Sequence, residues 1–221
     1  MNAEQGLDLG RLRLVIFDWD GTLMDSAGQI VRSLIWAAAQ HGLALTPHAA
    51  ANIIGLGLPE AMAALFPEHP ALQPQIQADY SRHYVAHSAG QQLFAGAVPL
   101  LDALQAAGLD LAVATGKSRV GLDRVLAQSG QTSRFAITRC ASETRSKPDP
   151  QMLQEILQAM DLQPDQAVMI GDTTYDLDMA HRIGMPRIGV TYGVHRAVDL
   201  QEFNPVALVD DVAGLQALLL P

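Results

Sequence analysis

Cysteine is nearly absent: Cys140 is the only one in 221 residues. That excludes an intramolecular disulfide and any zinc site built on several thiolates. Basic residues are outnumbered, 14 against 23 acidic, and the net charge of −9 repels a polyanion. No nucleic-acid partner is therefore expected. No apolar run approaches the roughly 18 residues that a membrane-crossing helix needs, so no membrane partner is expected either. Met1 to Gly10 are polar and acidic, without the charged-then-apolar pattern of a leader. These absences point to a cytoplasmic protein; a monomer or homodimer is expected. Lysine is the scarcest charged type. Lys117 and Lys147 are the only two, so chemistry that requires a lysine has two candidates.

What the chain has in quantity is apolar residues, 49% of the total, enough for one sizeable core with a smaller appended domain. Leu14 to Phe17, Leu109 to Ala114, Phe135 to Thr138, Ala167 to Ile170, Pro186 to Val190 and Val206 to Val209 read as short buried strands. Helical patterns lie between them, over 98–107, 118–128, 150–160, 175–183 and 213–220. Strands alternating with helices of this length predict an α/β fold, a parallel sheet covered on both faces. The span from about Asp25 to Phe94 carries only helical patterns. It reads as a helical insertion directly after the active end of the first strand.

Four stretches at strand ends carry chemistry. Asp18 and Asp20 follow the first strand in Asp18-Trp19-Asp20-Gly21-Thr22-Leu23; on an extended segment they share one side. Two adjacent carboxylates suit a divalent cation, or a nucleophile beside a general acid. Thr115-Gly116-Lys117-Ser118 joins a strand to a helix, offering a hydroxyl and free N–H groups to an anion. Lys147, in Ser146-Lys147-Pro148-Asp149-Pro150, is a point charge on a backbone restricted by two prolines. Gly171-Asp172-Thr173-Thr174-Tyr175-Asp176 places two more acids after a strand. A helix N-cap accounts for one of them but not both.

These four stretches, in this order, resemble the four motifs of the haloacid dehalogenase-like hydrolases, in particular the members with a helical cap after the first motif. The resemblance implies a Rossmann-like core over 1–24 and 95–221 and a cap over 25–94. It further implies Asp18 as the nucleophile that takes a phosphoryl group and Asp20 as general acid and base. Thr115 and Gly116 would hold the phosphate, with Lys147 as both catalytic and substrate-binding cation. Mg2+ would be held by Asp18, Asp20 (through its carbonyl) and Asp172, while Asp176 anchors Lys147 or a metal-bound water. Lys117 and Arg119 are expected at the rim.

Tyr80 to His87 followed by Phe94-Ala95-Gly96 resembles the end of the cap in phosphoglycolate phosphatases. The implied activity is hydrolysis of a small phosphorylated metabolite such as 2-phosphoglycolate. A sugar-phosphate phosphatase, a β-phosphoglucomutase-like phosphomutase and a non-catalytic sensor of a phosphometabolite stay open. Selection among substrates is expected from the insertion, through Gly55-Leu56-Gly57-Leu58 and through Arg32 or Arg82 if either points inward.

Overall fold

The computed structural model describes residues 7–220. The first six residues of the N-terminal stretch read above, and the last residue of the expected core, lie outside that range. Its strands are β1 (Leu14–Phe17), β2 (Asp110–Thr115), β3 (Ile137–Cys140), β4 (Ala167–Gly171), β5 (Arg187–Val190) and β6 (Ala207–Val209). All pair in parallel, in the order β3-β2-β1-β4-β5-β6. The helices are α1 (Ala27–Gln40), α2 (Pro47–Asn52), α3 (Leu58–Leu65), α4 (Gln73–His87), α5 (Ala97–Ala106), α6 (Arg119–Ser129), α7 (Gln151–Met160), α8 (Thr174–His181), α9 (Ala197–Gln201) and α10 (Val212–Leu219). This is the α/β arrangement expected from the alternation, with the Rossmann-like core that the resemblance implied.

Every side chain of β1 is buried because both faces of the sheet are covered. Val15 and Phe17 point into a cluster with Leu100 and Leu104 of α5, Leu122 of α6 and Leu215 of α10. Leu14 and Ile16 point the other way, against Met152 and Ile156 of α7 and Met179 of α8. Burying each such side chain contributes roughly 1.5–3 kcal/mol, which is why a strand of four residues can hold the centre of the sheet. Helices α1–α4 build an apolar cluster of their own around Leu34, Met62, Ile76 and Tyr84. No helix among the described residues is long and apolar enough to cross a membrane.

Two details differ from the sequence reading. Strand β3 starts two residues later than expected, at Ile137. It is an edge strand paired only with β2, and that register (Ala112 opposite Ile137) decides its extent more than its own apolarity does. Helix α9 was not expected. With five residues it is too short to show a helical period.

Candidate active site

Chain order reverses across the sheet between β1 and β4, and a crevice opens at the carboxyl ends of strands at such a point. Asp18 stands there. Its N–H still donates to the Ile170 carbonyl of β4 at 2.9 Å, so the sheet itself sets its position. Its Oδ1 accepts from Lys147 Nζ at 2.7 Å, and the same ammonium donates to Asp176 Oδ1 at 2.5 Å. Asp18 Oδ2 is buried and has no hydrogen-bond partner. Burial pushes the Asp18 carboxyl up to about 7; Lys147 opposes that shift and Asp176 adds to it. Burial also pulls Lys147 toward its neutral form, but Asp176 and Asp18 outweigh it and hold the pKa above the ordinary lysine value.

Asp172 completes this group. It accepts from Thr22 Oγ1 and from the Val194 N–H, each at 2.9 Å. Burial raises its pKa well above the usual carboxylate range, with Asp18 and Asp176 contributing next. The close fit depends on glycine. At Gly21, with φ of +85°, a side chain would collide with the Asp172 carboxylate, and Gly193 meets it from the opposite loop. Asp176 accepts from the N–H and hydroxyl of Thr173, the N-cap of α8, so it serves the helix start and Lys147 together.

One oxygen from each of Asp18, Asp172 and Asp176 lies within 4.8 Å of the others. Two of these three buried carboxylates share one ammonium, the third has none, and one Asp18 oxygen lacks any partner. That donor set fits a hard divalent cation. The Asp20 carboxylate is not in this group. It accepts from Ser26 Oγ at 2.6 Å and from Lys117 Nζ at 2.9 and 2.7 Å.

Lys117 is therefore not at the rim, where the sequence reading placed it. Its side chain is 9% exposed, beneath Tyr84 of α4, with Nζ 5.0 Å from the ring centroid and 3.5 Å from the hydroxyl. Burial lowers its pKa, but Asp20 outweighs that and the net shift is upward. Arg119 does turn outward, to Glu143, Asp123 and Thr138. Ser26 stands at the N-cap position of α1. No cap hydrogen bond forms, because its hydroxyl goes to Asp20 instead.

Thr115 and Gly116 meet Asp18 and Asp20 on the walls of a cavity of about 250 Å³ between the sheet and helices α1–α4. Gly116 lies so close to the carbonyls of Gly55 and Leu56 that a side chain there would displace the loop. Gly57 N–H donates to Ser146 Oγ at 2.6 Å, beside Lys147. The Gly55–Leu58 loop thus reaches the strand ends. The two arginines considered as inward-facing are turned away: Arg32 is exposed and donates to Gln29, and Arg82 to Asp79. On α4 the residues Tyr80, His83, Tyr84 and His87 divide. Both tyrosines line the cavity, while the histidines stack on one another, 4.1 Å between centroids, outside it.

Sequence reasoning missed the Lys117–Asp20 pair and the Gly193-Val194 loop that holds Asp172. The scarcity of lysine was a signal for the first. For the second, a glycine shortly after β5 was the only trace.

Residues 15–190 match the haloacid dehalogenase-like hydrolase family. The chain is 32% identical over 214 residues to phosphoglycolate phosphatase of Agrobacterium fabrum, covering 93% of this chain and 91% of that one. It is 28% identical over 214 residues to N-acetylmuramic acid 6-phosphate phosphatase of Pseudomonas aeruginosa, covering 90% and 94%. A haloacid dehalogenase-like family hydrolase from Streptococcus pneumoniae shares the fold, with a TM-score of 0.80 at 23% identity over 94% and 98% of the two chains. The family match and the relatives make the chain a hydrolase. The chain belongs to the haloacid dehalogenase-like hydrolase family, and it is similar to members that cleave phosphate monoesters.

Proposed function

We propose that this enzyme is a Mg2+-dependent phosphatase of small phosphate monoesters, of which 2-phosphoglycolate is the first choice, acting through an aspartyl phosphate on Asp18. The observation that carries this reading is Asp18 Oδ2, a buried carboxylate oxygen without a partner beside a fixed ammonium. Asp18 attacks phosphorus, and the bond to the ester oxygen breaks. Asp20, held by Ser26 and Lys117 when ionised, gives the leaving oxygen its proton from its protonated form, the form in which the hydrolysis step leaves it. Asp20 then takes a proton from the water that hydrolyses the acyl phosphate, which releases inorganic phosphate and restores Asp18. Lys147, the Thr115 hydroxyl and the backbone at Gly21-Thr22 and Gly116 hold the phosphoryl oxygens. Mg2+, when bound by Asp18, Asp172, the Asp20 carbonyl and Asp176 directly or through water, offsets charge on the transferring group.

The cavity of about 250 Å³ is large enough for a small monoester such as phosphoglycolate. In this reading residues 25–94 are a cap closing over a core of 1–24 and 95–221, with Gly55–Leu58 as its contact loop. A cytoplasmic setting belongs to the same reading, in keeping with the single, buried Cys140.

The test is hydrolysis of a phosphometabolite panel and a generic aryl phosphate, with and without Mg2+. Metal-dependent turnover with a preference for small anionic monoesters is expected. Binding without turnover of any of them would make the chain a sensor, and faster turnover of hexose phosphates would replace the substrate class.

A further inference from the structure

The cavity holds one cation that the proposed mechanism does not use. Each of the other eleven arginines hydrogen-bonds or ion-pairs with a described residue. Arg124 has no such partner, although its Nε is buried. A buried donor without a partner is costly to maintain and rare in a folded chain. Arg124 lies on the face of α6 that lines the cavity, with Val120 and Gly121. Its Cζ is 5.7 Å from the centroid of the Tyr84 ring, a stacking that positions the guanidinium without neutralising it. The other cation on that ring, Lys117, already donates to both oxygens of Asp20.

We infer that Arg124 is a specificity-determining residue, which receives a carboxylate carried by the leaving group of the substrate. This rests on the phosphatase reading above and adds to it the residue that selects. A guanidinium with free N–H groups matches a carboxylate in two parallel hydrogen bonds, which a neutral substituent cannot copy. Thr115 at the end of β2 and Arg124 on α6 belong to one strand-loop-helix unit, buried against the sheet through Leu122 and Val125. The spacing between the phosphate end and the carboxylate end is thus held by the core. The backbone that carries Arg124 does not move with helices α1–α4, as that of Arg32 or Arg82 would; only the seat of its guanidinium against Tyr84 involves α4. A selector on a rigid element discriminates more sharply than one on a mobile part.

The test uses the full chain with Mg2+ and matched pairs of phosphooxy acids and their amides, two to four carbons long. Wild type is expected to prefer at least one acid over its amide by about 30-fold or more in kcat/KM. Arg124→Gln should reduce that preference to within about threefold while leaving the amides unchanged, and Arg124→Lys should restore part of it. Arg32→Ala should change nothing. Equal losses on acids and amides with a lowered Tm would make Arg124 a packing residue and overturn the inference. So would a preference that survives Arg124→Gln, or a wild type without preference. Calorimetric binding of the same pairs to Asp18→Asn, with and without Arg124→Gln, separates the two claims. Arg124-dependent binding of acids that wild type does not hydrolyse would keep the subsite and remove the phosphatase reading. Hydrolysis of acids and amides alike would keep the phosphatase reading and remove the subsite.

Discussion

Two carboxylate–lysine clusters stand side by side in this molecule, and they are closed by different parts of it. Lys147 with Asp18 and Asp176 is sealed by the sheet and α8, all three side chains being at most 1% exposed. Lys117 with Asp20 retains 9% and 10%, and its roof is Tyr84 from α4. The first cluster takes no side-chain hydrogen bond from helices α1–α4, whereas the second is covered by Tyr84 of α4. In the proposed mechanism the group that attacks phosphorus is thus held by core residues, while the group that serves the leaving oxygen also has a neighbour on the helical segment.

Asp18→Asn should be the strongest blow to the first cluster. It replaces a nucleophile with a near-isosteric amide, and kcat should fall at least about 10⁴-fold while the fold survives. Turnover above about 1% of wild type in a clean preparation would break the nucleophile assignment.

The two lysines test how differently the clusters are sealed. Lys147→Met leaves two buried carboxylates without a countercharge and should cost about 3–5 kcal/mol. Lys117→Met should cost less, about 1.5–3 kcal/mol, because water can reach Asp20. Denaturant unfolding measures both, and equal losses would erase the distinction.

Metal and pH sharpen the comparison further. Asp18 has its pKa raised from 3.8 to about 7, so between those values the folded state binds more protons than the unfolded one. Stability of the metal-free protein should therefore fall as pH rises through that window. Asp18→Asn should reduce the slope, and Asp172, raised chiefly by its burial, keeps the remainder. Melting curves in chelator from about pH 5 to about 7.5 would show it, and a rising stability would reverse the sign argued here. Mg2+ at a hundredfold excess over its Kd should add about 2.7 kcal/mol near neutral pH. Asp172→Ala should abolish that gain and Asp20→Asn should not, since only the first belongs to the metal-fitting group.

The smallest effect is expected at the roof. Tyr84→Phe removes one hydroxyl, 3.5 Å from Lys117 and 3.0 Å from Gln91, and should change stability by less than about 1.5 kcal/mol. A larger loss by thermal unfolding would mean that α4 does more for the second cluster than cover it.

The groups around Asp18 were legible because each sits where a local pattern ends. An apolar strand stopping in an acid, as at Asp18 and Asp172, is visible in a few residues. Lys147 was marked by its flanking prolines. The outward turn of Arg32 and Arg82 was not visible, since a helix pattern states which residues share a face and not which neighbour that face meets. Arg124 escaped for the same reason: on α6 it reads as one more solvated arginine.

By itself the sequence determined the parallel α/β sheet, the helical segment after β1 and the acids at the strand ends. Local periodicity and strand-end chemistry act within a few residues, so they can be read in one dimension. Only the tertiary structure decided that Lys117 faces Asp20 across 97 positions, that Val194 and Gly193 enclose Asp172, and that Tyr84 roofs one lysine and stacks on Arg124. Those pairings are set by how the helices pack on the sheet, through contacts between segments whose sequences carry no mark of one another.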